Sequence, residues 1–194
     1  RAASGATLTI QGEAAGTGEL IANGGSGGML GFGAAGIGGN HNEGAGTIVI
    51  NGGIISATGG SDNSGPGAGI GGGGASKTTL SGGTIAIHGG TVTASGGYEL
   101  GYGSLHAPGI GGYDTTSLTI DGGDVTADGG HYAINASSLA IGDEATVRAF
   151  SANANLNSPA IMGHAAPSGN TAYLLSFSLD TAVLVETDVT ITQK

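Results

Sequence analysis

Residues Thr47 to Gly60 read TIVINGGIISATGG, and the chain repeats the phrase. Thr84 to Gly97 is TIAIHGGTVTASGG, and Ser117 to Gly130 is SLTIDGGDVTADGG. A second phrase recurs between the copies: AGIGG at 35–39, AGIGG at 68–72 and PGIGG at 108–112. Such self-similarity is the signature of a solenoid, in which each unit buries its apolar face only on its neighbours.

Within a copy the apolar residues alternate. Ile48 and Ile50 fall on one side of a short run, with Thr47, Val49 and Asn51 on the other. Ile55 and Ala57 alternate with Ile54, Ser56 and Thr58. Period-2 runs bounded by Gly-Gly read as strand, turn, strand, turn. The AGIGG phrase supplies a third short strand anchored by Ile37, Ile70 or Ile110. No segment carries helical periodicity with caps. The expected fold is all-β: a right-handed parallel β-helix with three short strands per coil and about five coils.

Aligned copies predict four inward columns. They are Leu8, Ile48, Ile85, Leu118, Leu139; Ile10, Ile50, Ile87, Ile120, Ile141; Leu20, Ile55, Val92, Val125, Val147; and Ala22, Ala57, Ala94, Ala127, Ala149. The invariant Ala marks a narrow place where a larger side chain would overpack. From Ile10 to Ile50, Ile87, Ile120 and Ile141 the steps are 40, 37, 33 and 21 residues. The excess over the shortest step is loop, and it flanks the third strand, so one side of the solenoid is decorated.

After Gly169 there is no Gly, and Tyr173, Leu175, Phe177 and Leu179 alternate. The chain therefore divides into a β-helix over 1–169 and, over 170–194, a C-terminal β cap or the start of a following domain.

Composition narrows the function. Gly is 44 of 194 residues, about three times ordinary usage. It lacks a three-residue period and there are only 4 Pro, which excludes collagen. Hydrophobic residues make up 38%, enough for a core. Net charge is −10, with only Arg1, Lys77, Arg148 and Lys194 positive, so a nucleic-acid partner is excluded. No apolar run approaches a membrane span of about 20 residues. With no Cys, thiol chemistry, disulfides and zinc thiolates are absent. The chain begins at Arg1, which suggests a mature form or an excised part of a larger parent with other domains.

GFGAAG at 31–36 and GAGIGG at 67–72 match G-x-G-x-x-G, but a dinucleotide fingerprint needs a following helix, and here the match lies inside a strand repeat. GGSD at 59–62 has the flavour of calcium-binding toxin repeats without their spacing.

The outward columns vary: Gln11, Asn51, His88, Asp121; Glu19, Ile54, Thr91, Asp124; Ile21, Ser56, Thr93, Thr126; Asn23, Thr58, Ser95, Asp128. Asp121, Asp124 and Asp128 thus share one coil and one surface. Three carboxylates there could hold Ca²⁺ or act as acid and base on a polysaccharide, with Arg148, one coil from Asp128, as the nearest cation. Against both stands a solvated acidic face; the leading expectation is no catalytic residue, no metal and no cofactor. Thr91-Val-Thr93 is one step of an ice-binding lattice, but Ile54 and Asp124 interrupt the column.

Aromatic residues are 4% of the chain, yet Tyr98, Tyr102, Tyr113 and Tyr132 cluster with His106 and His131. Phe32 occupies the matching loop two coils earlier. Exposed rings stack on the apolar faces of sugars, and Glu99, Asp114 and His41 could fix hydroxyls. The candidate glycan site is therefore Phe32, His41, Tyr98, Glu99, Tyr102, His106, Tyr113 and Asp114; the alternative is rings packed on the Gly-rich backbone.

The TIxIxGGxxxAxGG phrase alternating with AGIGG resembles Gly-rich parallel β-helix repeat regions of bacterial cell-surface, carbohydrate-binding or adhesin-like proteins, over residues 7–163. That resemblance implies a secreted or cell-surface location and a carbohydrate or host-surface ligand. No catalytic motif carries over. The expected function is a non-enzymatic adhesin-like or stalk module. A polysaccharide lyase or glycoside hydrolase using Asp121, Asp124, Asp128 and Arg148 is the alternative, and ice binding a minor one.

Overall fold

A computed structural model describes residues 5–12, 18–27, 31–75, 83–100, 106–112, 116–151 and 160–163. Among them there is no helix, and hence none long and apolar enough to cross a membrane. The proposed cap over 170–194 lies outside the described residues.

Among the described residues thirteen strands fall into three series of five tiers. The first series is β1 (Thr7–Ile10), β4 (Thr47–Ile50), β7 (Thr84–Ile87) and the opening parts of β10 (Ser117–Gly129) and β12 (Ser138–Ser151). The second is β2 (Glu19–Asn23), β5 (Ile54–Thr58), β8 (Thr91–Ser95) and the closing parts of β10 and β12. The third is β3 (Ile37–Gly38), β6 (Ile70–Gly71), β9 (Ile110–Gly111), β11 (Ile134–Ala136) and β13 (Ile161–Gly163). Every strand ladder is parallel. The result is a curled, many-stranded parallel sheet, compatible with a β-helix or solenoid.

The register reproduces all four inward columns, from Leu8↔Ile48 through Ala127↔Ala149. Burial alternates with the pleat: Ile85, Ile87 and Ala94 are fully buried, while Thr84, Thr91 and Thr93 are exposed. Each buried Ile contributes roughly 1.5–3 kcal/mol. Tier one departs from the rest. Its inward Leu8, Ile10 and Ala22 are half-buried and Leu20 is exposed, because no described strand lies beyond β1 and β2.

In tiers four and five the first two strands run together. The sequence predicts separate strands across Gly122-Gly123, but ladder pairing with β12 continues through the bend, so β10 is a single element. A bulge in β12 between Ile141 and Glu144 takes up one extra residue.

Two glycine columns make the path workable. Gly53, Gly90 and Gly123, the second Gly of each Gly-Gly pair, have φ of +99°, +94° and +90°. A Cβ on Gly90 would sit 2.6 Å from the Gly53 carbonyl oxygen. In the third series Gly38, Gly71 and Gly111 also have positive φ, and a Cβ on each would strike the carbonyl oxygen of the residue one tier on. Only glycine meets both demands.

Candidate functional site

Three junctions join the strand series; the third, from series three back to series one, carries His41 in 39–46, and the other two bear the groups considered first. The first, from series one to series two, spans 11–18 in tier one and shortens to 51–53 in tier two and 88–90 in tier three. His88 and Asp121 are neighbours there, as the columns predict, with Nδ1 2.7 Å and 2.9 Å from the two carboxylate oxygens. Beyond the bend, Arg148 donates to the Asp124 carboxylate. The sequence placed Arg148 one coil from Asp128. The register agrees on the coil and seats it beside Thr126, with Phe150 opposite Asp128, and the guanidinium reaches diagonally to Asp124. Both ion pairs are about half-exposed.

The three carboxylates therefore have separate neighbours. Asp124 and Asp128 stand four positions apart on an extended strand, about 13 Å along it. A glycosidase pair needs roughly 5–9.5 Å. Among the described residues no three His, Asp or Glu side chains group to hold a metal ion. The ladder also confirms Ile54 and Asp124 on either side of Thr91, so no Thr lattice forms.

The second junction, from series two to series three, is long and uneven: 24–36, 59–69, 96–109, 130–133 and 152–160. It gathers most of the predicted aromatic residues that the structure describes. Tyr98 and Leu100 are 53% and 57% exposed, two of only five large apolar side chains so open among the described residues. Glu99 between them is half-buried. Alternation thus turns Tyr98 and Leu100 to the same side as an apolar strip.

Asp62 holds this strip. Its N–H donates to the Tyr98 carbonyl and its carbonyl accepts from Leu100 N–H, both at 3.1 Å. Its own carboxylate is buried and accepts Gly27 N–H at 2.9 Å and Ser64 N–H at 3.2 Å. One side chain therefore ties together the junctions of tiers one and two, while its backbone carries that of tier three. Ser61 adds its hydroxyl oxygen as acceptor for Tyr98 N–H, at 3.1 Å. Sequence reading missed Asp62. The signal available was Asp62-Asn-Ser-Gly65, a turn-forming run in which Asp binds nearby backbone N–H groups.

His106 bridges to Tyr98 across the loop, antiparallel, and its side chain lies where a Cβ on Gly130 would be. That places it over the tier-four backbone beside Asp128. Partial burial raises the Asp128 carboxyl above its ordinary 3.8, and the charge of nearby His106 pulls in the opposite direction. The candidate glycan residues Tyr98, Glu99 and His106 are thus brought together with Asp128, a residue the sequence had assigned to another chemistry.

Phe32 and His41 make their own edge-on ring pair at 4.6 Å, and Phe32 packs against Gly65. Phe32 lies at the second junction two tiers from Tyr98, about 10 Å along the stack, and is a packing ring. His41, past β3, is exposed and contacts Asn42 at 2.7 Å. Tyr102, Tyr113 and Asp114 lie outside the described residues.

No protein-family model, curated protein or solved structure matches the chain.

Proposed function

We propose that the protein is a right-handed parallel β-helix of about five coils, completed by a β cap over 170–194. It serves as a non-enzymatic, adhesin-like or stalk module of a larger secreted or cell-surface bacterial protein. Its second junction binds carbohydrate. The observation that carries this reading is the exposed Tyr98–Leu100 strip, held rigid by Asp62 and flanked by His106, Glu99 and Asp128. A ring face next to fixed acceptors suits a sugar, which presents an apolar C–H face and a rim of hydroxyl donors. The strip needs no induced order, since backbone bonds to Asp62 already hold it.

The test is a screen of plant and mucin glycans against the wild-type protein and Tyr98→Ala. Tyr98→Ala is expected to weaken the recognised glycan about tenfold or more, in line with hot-spot aromatic losses above 1 kcal/mol. Arg148→Ala on the second strand series is expected to leave binding unchanged. If no glycan binds the wild-type protein, only the stalk role stands.

A further inference from the structure

We infer that the second junction selects sugars bearing no acid group, a specificity that rests on the carbohydrate reading above. All five connections from series two to series three, residues 24–36, 59–69, 96–109, 130–133 and 152–160, contain no Lys or Arg in their sequence. Arg148 is the single Lys or Arg among the described residues; it lies on the second strand series, beside Thr126, and is engaged with Asp124. Glu99 lies within the strip and Asp128 beyond His106, with the Asp62 carboxylate buried behind. His106 and His131 are the only side chains of these connections able to carry positive charge, and His106 faces Asp128.

Hydrogen-bond chemistry leads to the same result as charge. Carboxylates only accept, so a ligand must bring O–H or N–H donors to them. Neutral and amino sugars do so through their free hydroxyl and amino groups. A uronate, sialate or sulfate places acceptor oxygens against acceptor oxygens, and it adds a negative charge to a chain already at −10. Proteins that recognise carboxylates or sulfates do so with Arg or Lys, and these connections have neither. The absence of cations is thus a filter built into the longest and most variable part of the chain.

The experiment uses matched pairs that differ only in charge, with titration at pH 7 in low salt. The pairs are cellohexaose and its C6-oxidised uronate form, methyl-esterified and de-esterified galacturonan oligomers, and desialylated and sialylated mucin glycans. In whichever pair is recognised, the neutral member is expected to bind at least about fivefold tighter, the factor given by about 1 kcal/mol between unit charges about 4 Å apart in water. Adding about 0.15 M salt, with a Debye length near 8 Å, should narrow the gap. Equal or tighter binding of the acidic member overturns the inference and leaves the carbohydrate reading standing. Binding to no member of any pair overturns both.

Discussion

The first two junctions are built from one repeat and differ in nearly everything else. From tier two on the first is brief, is turned by glycines at positive φ in tiers two to four, and carries His88 already paired with Asp121, with Arg148 paired to Asp124 on the strand that follows. The second changes length from tier to tier and carries exposed Tyr98 and Leu100 over a scaffold organised by Asp62. Where the backbone is fixed tightly there is little room for variation, and the outer residues satisfy one another. Where the length is free, the chain can present groups that its own fold does not consume. That contrast is what supports the proposal of recognition at the second junction.

The largest expected effect tests the rigidity of the first junction. Gly90→Val places a branched side chain at φ +94° against the Gly53 carbonyl. It should cost at least about 1–3 kcal/mol from backbone strain alone, lowering Tm by roughly 2–12 °C. Asn63→Val, exposed in the second junction, should stay within about 0.5 kcal/mol. Equal losses in thermal unfolding would abolish the distinction.

An intermediate effect belongs to Asp128. Because its carboxyl is raised in the folded state, the folded protein holds that proton more tightly than the unfolded chain. The associated stability is fully present below the ordinary 3.8 and is lost as pH rises through the raised value. Urea midpoints from pH 3.5 to 7 should show Asp128→Asn gaining on the wild type as pH rises, with the gap closing near 3.8. His106→Ala should widen the wild-type loss, since His106 opposes the shift. A flat difference between Asp128→Asn and wild type would remove His106 and Asp128 from a shared environment.

The smallest effect is expected for the paired charges. His88→Ala or Arg148→Ala should each cost about 0.2–1 kcal/mol, less in high salt, because both pairs are half-exposed. A loss above about 2 kcal/mol in either would mean that the first junction and the strand that follows it depend on side chains as well as on glycines.

Much of the scaffold was legible beforehand. The columns headed by Leu8, Ile10, Leu20 and Ala22 came from period-2 alternation, and the register matches them residue for residue. The third series was legible only through Ile110. In tiers four and five it continues as Ile134 and Ile161, but the AGIGG phrase has become Ala-Ile-Asn and Ala-Ile-Met, so the text no longer signals it. The physical reason is that positive φ in this column ends at Gly111; Asn135 does not adopt it, and glycine is no longer required there.

The site was legible in pieces. Tyr98, Glu99 and His106 stood out because aromatic residues are scarce, and Asp128 because outward columns drift. Their meeting did not show, nor did Asp62, whose carboxylate serves Gly27 from another tier. That Arg148 meets Asp124 did not show either, because a long side chain can reach across the ladder as well as along it.

By itself the sequence determined the repeat, its inward columns and the scarcity of cations, since these depend on local alternation and on composition. The tertiary structure decided which residues share a surface. Parallel stacking lays side by side groups some 30 residues apart in the chain, such as Asp62 with Tyr98 and His88 with Asp121. Loop lengths set those distances, and no local pattern of side chains encodes where a loop will return.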